Sequence, residues 1–349
     1  MAKSRVNPKG CEQDASNNWT RACCARSRAA PITIEADKRM AEMLYSPESF
    51  VLAFAPGGDL ANVLQVSQVL QEKGAQAKLL HVLSAMPASM EQVLFPYAAM
   101  GLDEDAIWSE ILDVAREQLL GELRSLQADS EQAPPSFELR RGDVVEELAA
   151  YALKQGSELL LCGGRRKDTG ETLGPTAERL LRRLHCPVLL VKRGVATQVK
   201  RVLIALGGGD DTAEVLQWGL SFACWLHADV ELVSVLATSP EHWARAILEN
   251  ERSAPLLQEA ERVLRERVQA ILDGITVPFA LEPEAAEMKL QLHVRRGDPA
   301  IELGELCSEL NAEVLVMGRG GRGGRLGRVC LDASARVSAH VLVIPGQSR

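Results

Sequence analysis

Residues 141–191 read RGDVVEELAAYALKQGSELLLCGGRRKDTGETLGPTAERLLRRLHCPVLLV, and the pattern of this stretch returns later in the chain. Arg141-Gly142-Asp143 recurs as Arg296-Gly297-Asp298, an offset of 296 − 141 = 155. The same offset, or 153 after a two-residue deletion, relates further pairs: Glu147/Glu302, Glu158/Glu313, Leu160/Leu315, Gly163/Gly318, Leu173/Leu326, Gly174/Gly327 and Val188/Val341. A constant offset of this size indicates two copies of one domain of about 150 residues, because solenoid repeats are much shorter.

Each copy carries the signals that begin and end a helix after its RGD turn. Asp143 and Asp298 are suited to the N-cap, because aspartate accepts hydrogen bonds from the first free N–H groups of a helix. Gly156 and Asn311 occupy matching positions at the predicted helix ends. Glycine and asparagine are the residues that most readily adopt the left-handed conformation found there. The two copies therefore share a backbone requirement rather than a side chain.

Short apolar runs follow these helices. Leu159–Cys162 and Val314–Met317 are apolar on both faces, which suits the interior of a parallel sheet. Each run ends in glycine and is followed by a loop, a helix and a last strand. Because strands and helices alternate, we predict an α/β fold of Rossmann-like type. It should contain two tandem open, mainly parallel five-stranded sheets with helices on both faces.

The first 47 residues differ from the rest of the chain. They are rich in basic residues and show neither a helical nor a strand period, so we expect a flexible N-terminal tail. A transit peptide is the alternative, although no amphipathic stripe supports it. We predict a first domain over residues 48–194, a linker over 195–199 and a second domain over 200–346. The role of Cys11, Cys23 and Cys24 in the tail stays open.

Composition excludes several classes of function. The chain has 349 residues, 46% of them hydrophobic, and a formal net charge of −8, so a nucleic-acid partner is not expected. No apolar run reaches the roughly 20 residues that a membrane-spanning helix needs, so no membrane partner is expected. The eight cysteines form no C-x-x-C pair, which favours buried thiols in a reducing cytoplasm.

The candidate ligand site is the glycine-rich loop after the fourth strand of each copy. Backbone N–H groups of such a loop, backed by a helix N-terminus, form an anion site that suits phosphate. In an open α/β sheet, ligands bind at the carboxyl ends of the strands, where both loops lie. The candidates in the second copy are Gly318, Arg319, Gly321, Arg322, Gly324, Arg325, Gly327 and Arg328. Those in the first copy are Gly163, Gly174 and Thr176. The alternative for either loop is a solvated segment that binds nothing.

The turn after the first strand of each copy supplies a second set of candidates. In the second copy these are Gly208 and Asp210, and Asp59 lies in the corresponding turn of the first copy. Such an aspartate can contact a ribose or a magnesium ion, and helix N-capping explains it equally well. The six histidines occur singly and suggest no nucleophile–base pair. We therefore expect neither an enzyme nor a metal site.

The end of the first copy resembles the universal stress protein family. Members of that family end with an apolar strand, G-x-x-G, nine residues, G-[S/T], a helix with A-E-R and a strand that opens with C-P-V. The matching segments here are Leu159–Gly163, Leu173–Leu180 (LGPTAERL) and Cys186–Val191 (CPVLLV), and Gly318-Arg319-Gly320-Gly321 fits G-x-x-G in the second copy. Both domains are covered, as in the tandem two-domain subgroup.

The resemblance implies nucleotide binding and pairing of domains. It implies ATP as a ligand of the second domain, and we expect no other cofactor. It also implies pairing through the last strands, so we expect Val188–Val191 to pair with Val341–Ile344 within the chain, and a homodimer is an open alternative. The loop of the second domain departs from the nucleotide-binding pattern at two places: five residues, not nine, separate Gly321 from Gly327, and Arg328 stands where Ser or Thr is expected.

Two functions stay open at this point. The first is a stress-response binding or regulatory module that binds ATP or another phosphate ligand through the loop of the second domain. The second is an interaction protein that does not bind nucleotide, has degenerate pockets and acts through protein partners. The shortened loop decides between them, because it must still close on an anion for the first function to hold.

Overall fold

Alternating strands and helices build both halves of the chain. In the computed structural model, the described residues are 32–35, 47–54, 60–84, 104–126, 136–164, 173–183, 185–192, 194–207, 209, 211–237, 254–274, 289–320 and 326–346. The strands in this part of the chain are β1 (Ile32–Glu35), β2 (Ser49–Ala53), β3 (Gln76–Ser84), β4 (Phe137–Gly142), β5 (Leu159–Gly163), β6 (Val188–Val191), β7 (Arg201–Ala205), β8 (Asp229–Ala237), β9 (Lys289–Gly297), β10 (Val314–Gly318) and β11 (His340–Ile344). The helices are α1 (Leu60–Glu72), α2 (Glu104–Leu126), α3 (Val144–Lys154), α4 (Pro175–Arg183), α5 (Thr212–Leu226), α6 (Ala254–Gly274), α7 (Pro299–Leu310) and α8 (Arg328–Arg336).

One continuous sheet runs through both domains. Its strand order is β1-β9-β8-β7-β10-β11-β6-β5-β2-β3-β4. The five strands of each domain are parallel to one another, which confirms the predicted fold class. The domains meet where β6 and β11 pair antiparallel, with Leu189 opposite Leu342. The expected pairing of the last strands is thus made inside one chain.

Helices cover both faces of the sheet, and each face has a core that crosses the domain boundary. On the first face, α1, α2, α5 and α6 pack over residues such as Leu52 and Ile204. On the second face, α3, α4, α7 and α8 pack over residues such as Leu160 and Leu315. Among the described helices, none is both long and apolar enough to cross a membrane.

The duplicated residues perform the same physical task in both domains. Asp143 accepts hydrogen bonds from the N–H groups of Val145 and Glu146, as the N-cap prediction requires, and Asp298 does so at the start of α7. Asn311 is left-handed, with a φ of 51°, as predicted for a helix end.

A second duplicated pair ties each central strand to its neighbour. Glu158 accepts a hydrogen bond from the Glu48 N–H at the start of β2. Glu313 accepts from the Lys200 and Arg201 N–H groups at the start of β7. The offset read from the sequence therefore marks equivalent positions in space.

The N-terminal segment differs from expectation. Residues 32–35, expected within a flexible tail, form β1 and pair antiparallel with β9 of the second domain. A four-residue strand has no periodicity of its own that a sequence can reveal, because it is stabilised by its partner strand. The remainder of residues 1–46, with Cys11, Cys23 and Cys24, lies outside the described residues.

Candidate functional site

The carboxyl ends of β7, β10 and β11 meet around one carboxylate in the second domain. Asp211, at the start of α5, lies so close to Gly318 that a Cβ atom at that glycine would overlap its Oδ2 atom. A Cβ at Gly209 would lie 2.7 Å from Asp211 Oδ1, and one at Gly346 would lie 3.8 Å from Asp211 Cβ. Asp211 therefore lies beside glycines at the carboxyl ends of three adjacent strands.

The backbone of α5 leaves this carboxylate available. Asp211 is the N-cap residue, but its side chain makes no capping hydrogen bond. The Thr212 hydroxyl donates instead to the carbonyl oxygens of Gly207 at 2.6 Å and Gly209 at 2.7 Å, which fixes the turn. Carboxylate oxygens at this edge of the sheet suit a hydroxyl group or a hard cation.

The glycine loop of the second domain begins and ends in a closed backbone frame. The N–H of Arg319 donates to the carbonyl of Ile344 at 2.8 Å, and the N–H of Gly327 donates to the carbonyl of Arg319 at 2.9 Å. Gly320 has a φ of 63°, a left-handed conformation that favours glycine. The loop therefore leaves β10 and returns to the same point before α8 starts.

Helix α8 starts at this frame with its first N–H groups uncapped by a side chain. Its N-cap is Gly327, which has no side chain to accept from them, and no acidic residue lies in the first turn. Arg328, the first helical residue, is almost fully exposed and lies 3.3 Å from Asp332. A cation at the positive end of a helix is unfavourable for the helix itself, whereas an anion is favourable there.

Domain one repeats this frame with different chemistry. The N–H of Gly164 donates to the Val191 carbonyl at 3.0 Å, but the closing bond from Gly174 to the Gly164 carbonyl is 3.5 Å long. Helix α4 then starts with Pro175, which has no N–H to offer an anion. Thr176 is exposed beside it, and Gly163 ends β5.

The candidate residues of the second domain differ in where the structure places them. Arg319 is buried, and its Nη1 donates to the Arg182 carbonyl at the end of α4 at 3.4 Å, so its side chain contacts the other domain. Arg328 is exposed at the start of α8. The other candidates of the second domain lie outside the described residues: Gly208, Asp210, Gly321, Arg322, Gly324 and Arg325. The structure brings Gly318, Gly327 and Arg328 to one end of the sheet, and their ligand roles stay predictions.

Asp211 is the residue that the sequence reasoning missed. Asp210 was chosen for its place in the glycine turn, whereas the carboxylate against Gly318 belongs to the next residue. The signal that identifies Asp211 is the strand register. The paired strands match Phe50 with Val202, an offset of 152, and 59 + 152 = 211, so Asp59 corresponds to Asp211 rather than Asp210.

Burial keeps the Cys330 thiol near the site in its neutral form. Burial raises the pKa of the Cys330 thiol to about 12; Asp211 also raises it, whereas Ser334 and Arg319 lower it. A thiol with this pKa stays protonated and is a poor nucleophile or metal ligand. Among the described residues, no group of three or more His, Cys, Asp or Glu side chains is arranged to hold a metal ion.

Comparison with known proteins identifies the domain. The model of the universal stress protein family matches residues 60–192 and again residues 198–345. Universal stress protein MJ0531 of Methanocaldococcus jannaschii is 29% identical over 98 residues, which are 27% of this chain and 58% of that relative. The chain thus spans little more than half the length of this relative.

Solved structures show the same fold across both domains. A universal stress protein from Archaeoglobus fulgidus superposes with a TM-score of 0.58 at 19% identity, covering 88% of this chain and 100% of its own. The functionally unknown protein PA1789 from Pseudomonas aeruginosa has a TM-score of 0.53 at 16% identity, covering 86% of this chain and 93% of its own. With two consecutive family matches that fall on the two halves of one continuous sheet, the chain belongs to the universal stress protein family and contains two tandem copies of its domain.

Proposed function

We propose that the second domain binds a nucleotide or another phosphate compound at the start of α8, and that the chain acts as a binding module rather than as an enzyme. The observation that carries this proposal is the first turn of α8. Its N–H groups have no side-chain cap, no acidic residue lies in the first turn, and the exposed Arg328, which is ion-paired with Asp332, is the first helical residue. Helix N-termini of this kind are anion sites, because free N–H groups and the helix dipole act together.

The loop that precedes α8 in the sequence carries positive charge, which also favours an anion. Arg322 and Arg325 lie between Gly320 and Gly327, whose backbone atoms bracket the loop. Arginine binds phosphate oxygens with two parallel hydrogen bonds, and the intervening glycines let the backbone approach the ligand closely. The ligand class that matches this loop is therefore a phosphate ester or anhydride.

Asp211 favours a nucleotide over inorganic phosphate. A carboxylate repels an anion, so its place beside Gly318 suits a neutral or cationic part of the same ligand. A ribose hydroxyl donates to such a carboxylate, and a magnesium ion coordinated by phosphates binds to it directly. A ligand with its phosphate at the positive start of α8 and its ribose or magnesium at the Asp211 carboxylate makes a favourable contact with both groups.

Domain one has a different role in this proposal. Pro175 removes one N–H from the start of α4, and Glu178 places a negative charge in its first turn. Both changes weaken an anion site, so we assign domain one mainly to structure, through the β6–β11 pairing. An interaction protein without nucleotide is the second candidate function, and the burial of Arg319 against domain one favours it, because that arginine is already engaged in the domain junction.

The test is calorimetric titration of the purified protein with ATP and AMP, with and without magnesium. We expect one saturable site per chain. The Arg322→Ala/Arg325→Ala variant should lose roughly a hundredfold or more in affinity, because a charge-assisted hydrogen bond contributes about 1.5–3 kcal/mol. The matched control is Arg165→Ala/Arg166→Ala, which removes the same charge from the domain-one loop and should leave binding unchanged.

Two outcomes contradict the proposal. Equal losses in both variants would mean that net charge, not the α8 site, governs binding. No heat from any nucleotide at millimolar concentration would mean that the shortened loop does not close on an anion. That second outcome favours the interaction protein, and the search then moves to protein partners.

A further inference from the structure

Strand β1 covers an edge that the duplicated domain otherwise leaves open. Its four residues pair antiparallel with the first half of β9, from Ile32 opposite Leu292 to Glu35 opposite Lys289. The opposite edge of the sheet is β4, the counterpart of β9 in domain one. Residues 289 and 290 correspond to Pro134 and Pro135, since 134 + 155 = 289. Prolines lack the N–H that a strand partner needs, so an added strand can pair at this place only in domain two.

The chain that follows β1 is barely long enough to reach β2. Eight strand-to-strand steps separate β1 from β2 in the sheet order. At about 4.8 Å a step, they correspond to roughly 38 Å. The twelve residue steps from Glu35 to Pro47 span at most about 40–43 Å when fully extended. The direct line is occupied by the sheet itself, so any path around it is longer.

Spanning this distance between β1 and β2 of one chain costs conformational entropy. A flexible chain of twelve residues has an r.m.s. span of about 19 Å, half of the required distance. The entropy lost when such a chain is stretched towards full extension offsets the few backbone hydrogen bonds that a four-residue strand gains, each worth about 1 kcal/mol. Pairing in the same register on β9 of a neighbouring molecule forms those bonds too, and the linker then has to reach only from β9 of that molecule to β2 of its own.

We propose that β1 is exchanged between two copies of this chain, so that each copy places residues 32–35 on β9 of the other. The exchange gives a closed dimer with two equivalent β1–β9 pairings, the low-cost route to a dimer that identical strands offer. It pairs the first half of β9 in both copies, and the four-residue β1 then forms a very short edge, which is one of the ways proteins limit strand addition. The proposal concerns the edge of the sheet and does not depend on ligand binding at α8.

Cross-linking with cysteine at paired positions tests the exchange. Thr33 lies opposite Gln291 in the register, and the Gln291 side chain is only partly buried. The full-length chain carries Thr33→Cys in one preparation and Gln291→Cys in another, both with Cys11, Cys23 and Cys24 replaced by serine. The two are unfolded together, refolded and treated with a short thiol-to-thiol cross-linker. A product of dimer mass on a denaturing gel, above the amount that either preparation gives alone, then reports strand exchange.

The controls separate exchange from chance contact and from chain reach. Each single variant alone should give little dimer, because it lacks one half of the pair. The double variant Thr33→Cys/Gln291→Cys should give mainly dimer mass, and a product of monomer mass would overturn the proposal. Ten Gly/Ser residues inserted after Glu42 should shift the double variant towards monomer mass. An unchanged share of dimer in this lengthened chain would refute chain reach as the cause.

Discussion

Gly219 makes the closest contact between a helix and the central strand of domain two, and Gly219→Ala should destabilise the protein. A Cβ at this position would lie 2.6 Å from Ile204 Cδ1 and 2.9 Å from Cγ1, closer than carbon atoms pack. Ile204 is fully buried, so the close contact lies inside the core. Overpacking of this kind costs about 1–3 kcal/mol.

The higher helix propensity of alanine partly offsets this steric cost in the free energy of unfolding. Alanine in place of glycine within a helix gains about 1 kcal/mol. Three atoms of one β-branched residue lie within 3.2 Å of the new methyl group, so the steric cost should be in the upper half of its range. We therefore expect a net loss of about 1–2 kcal/mol in the free energy of unfolding.

Two further variants separate the steric term from the propensity term. Gly304 lies in α7 with nothing within 4 Å of a new Cβ, so Gly304→Ala should stabilise the protein by about 0.5–1 kcal/mol. Ile204→Val removes the nearest atom, Cδ1. In the double variant Gly219→Ala/Ile204→Val, the loss should therefore be about 1 kcal/mol smaller than the sum of the single losses.

Urea denaturation followed by tryptophan fluorescence measures these values. Two of the five tryptophans, Trp218 and Trp225, lie on α5, so part of the signal reports on the helix that carries Gly219. A Gly219→Ala protein as stable as the parent would refute the packing argument, and so would strict additivity with Ile204→Val. Domain one has Ser67 and Leu52 at the equivalent positions, so a larger helix residue there faces a strand residue unbranched at Cβ.

Two other substitutions test the site and the domain junction. Gly318→Ala should lower nucleotide affinity at least tenfold while leaving the fold intact, because the new methyl group displaces the Asp211 carboxylate. Titration calorimetry measures this loss, with Gly304→Ala as the control. Unchanged affinity would exclude Asp211 from the site. Burial, reinforced by Lys192, lowers the pKa of His340 to about 4 from its ordinary 6.5. The unfolded chain then binds a proton first as the pH falls, so stability is complete above about pH 6.5 and declines towards pH 4 by up to about 1.4 kcal/mol per pH unit. Unfolding free energies measured between pH 7 and 4.5 should fall less steeply in His340→Gln, and parallel curves would contradict this assignment.

Local signals made much of the fold predictable. Asp143 and Asp298 were predicted as N-caps, and both accept the two expected backbone hydrogen bonds. The apolar runs around Leu160 and Leu315 were predicted as interior strands, and both are fully buried. Such features depend on a few neighbouring residues, and the duplication supplied an independent second reading of each.

Features set by distant residues were not predictable in the same way. Strand β1 exists because β9 offers an edge more than 250 positions along the chain. Arg319 looked like a ligand residue among glycines, but its side chain contacts the Arg182 carbonyl across the domain junction. Neither partner is near in sequence, so composition and spacing carry no trace of the contact. The choice between Asp210 and Asp211 needed strand register, which only the paired sheet provides.

The β6–β11 pairing inside one chain has an evolutionary consequence. When two identical subunits pair through such strands, every substitution appears in both crevices at once, and neither can change alone. Here the two crevices are encoded separately. Pro175 and Arg328 occupy equivalent positions, since 175 + 153 = 328, yet one removes a donor and the other adds a charge. With both copies in one chain, each half is free from the symmetry of a dimer, so that one crevice can diverge while the shared sheet keeps both halves together.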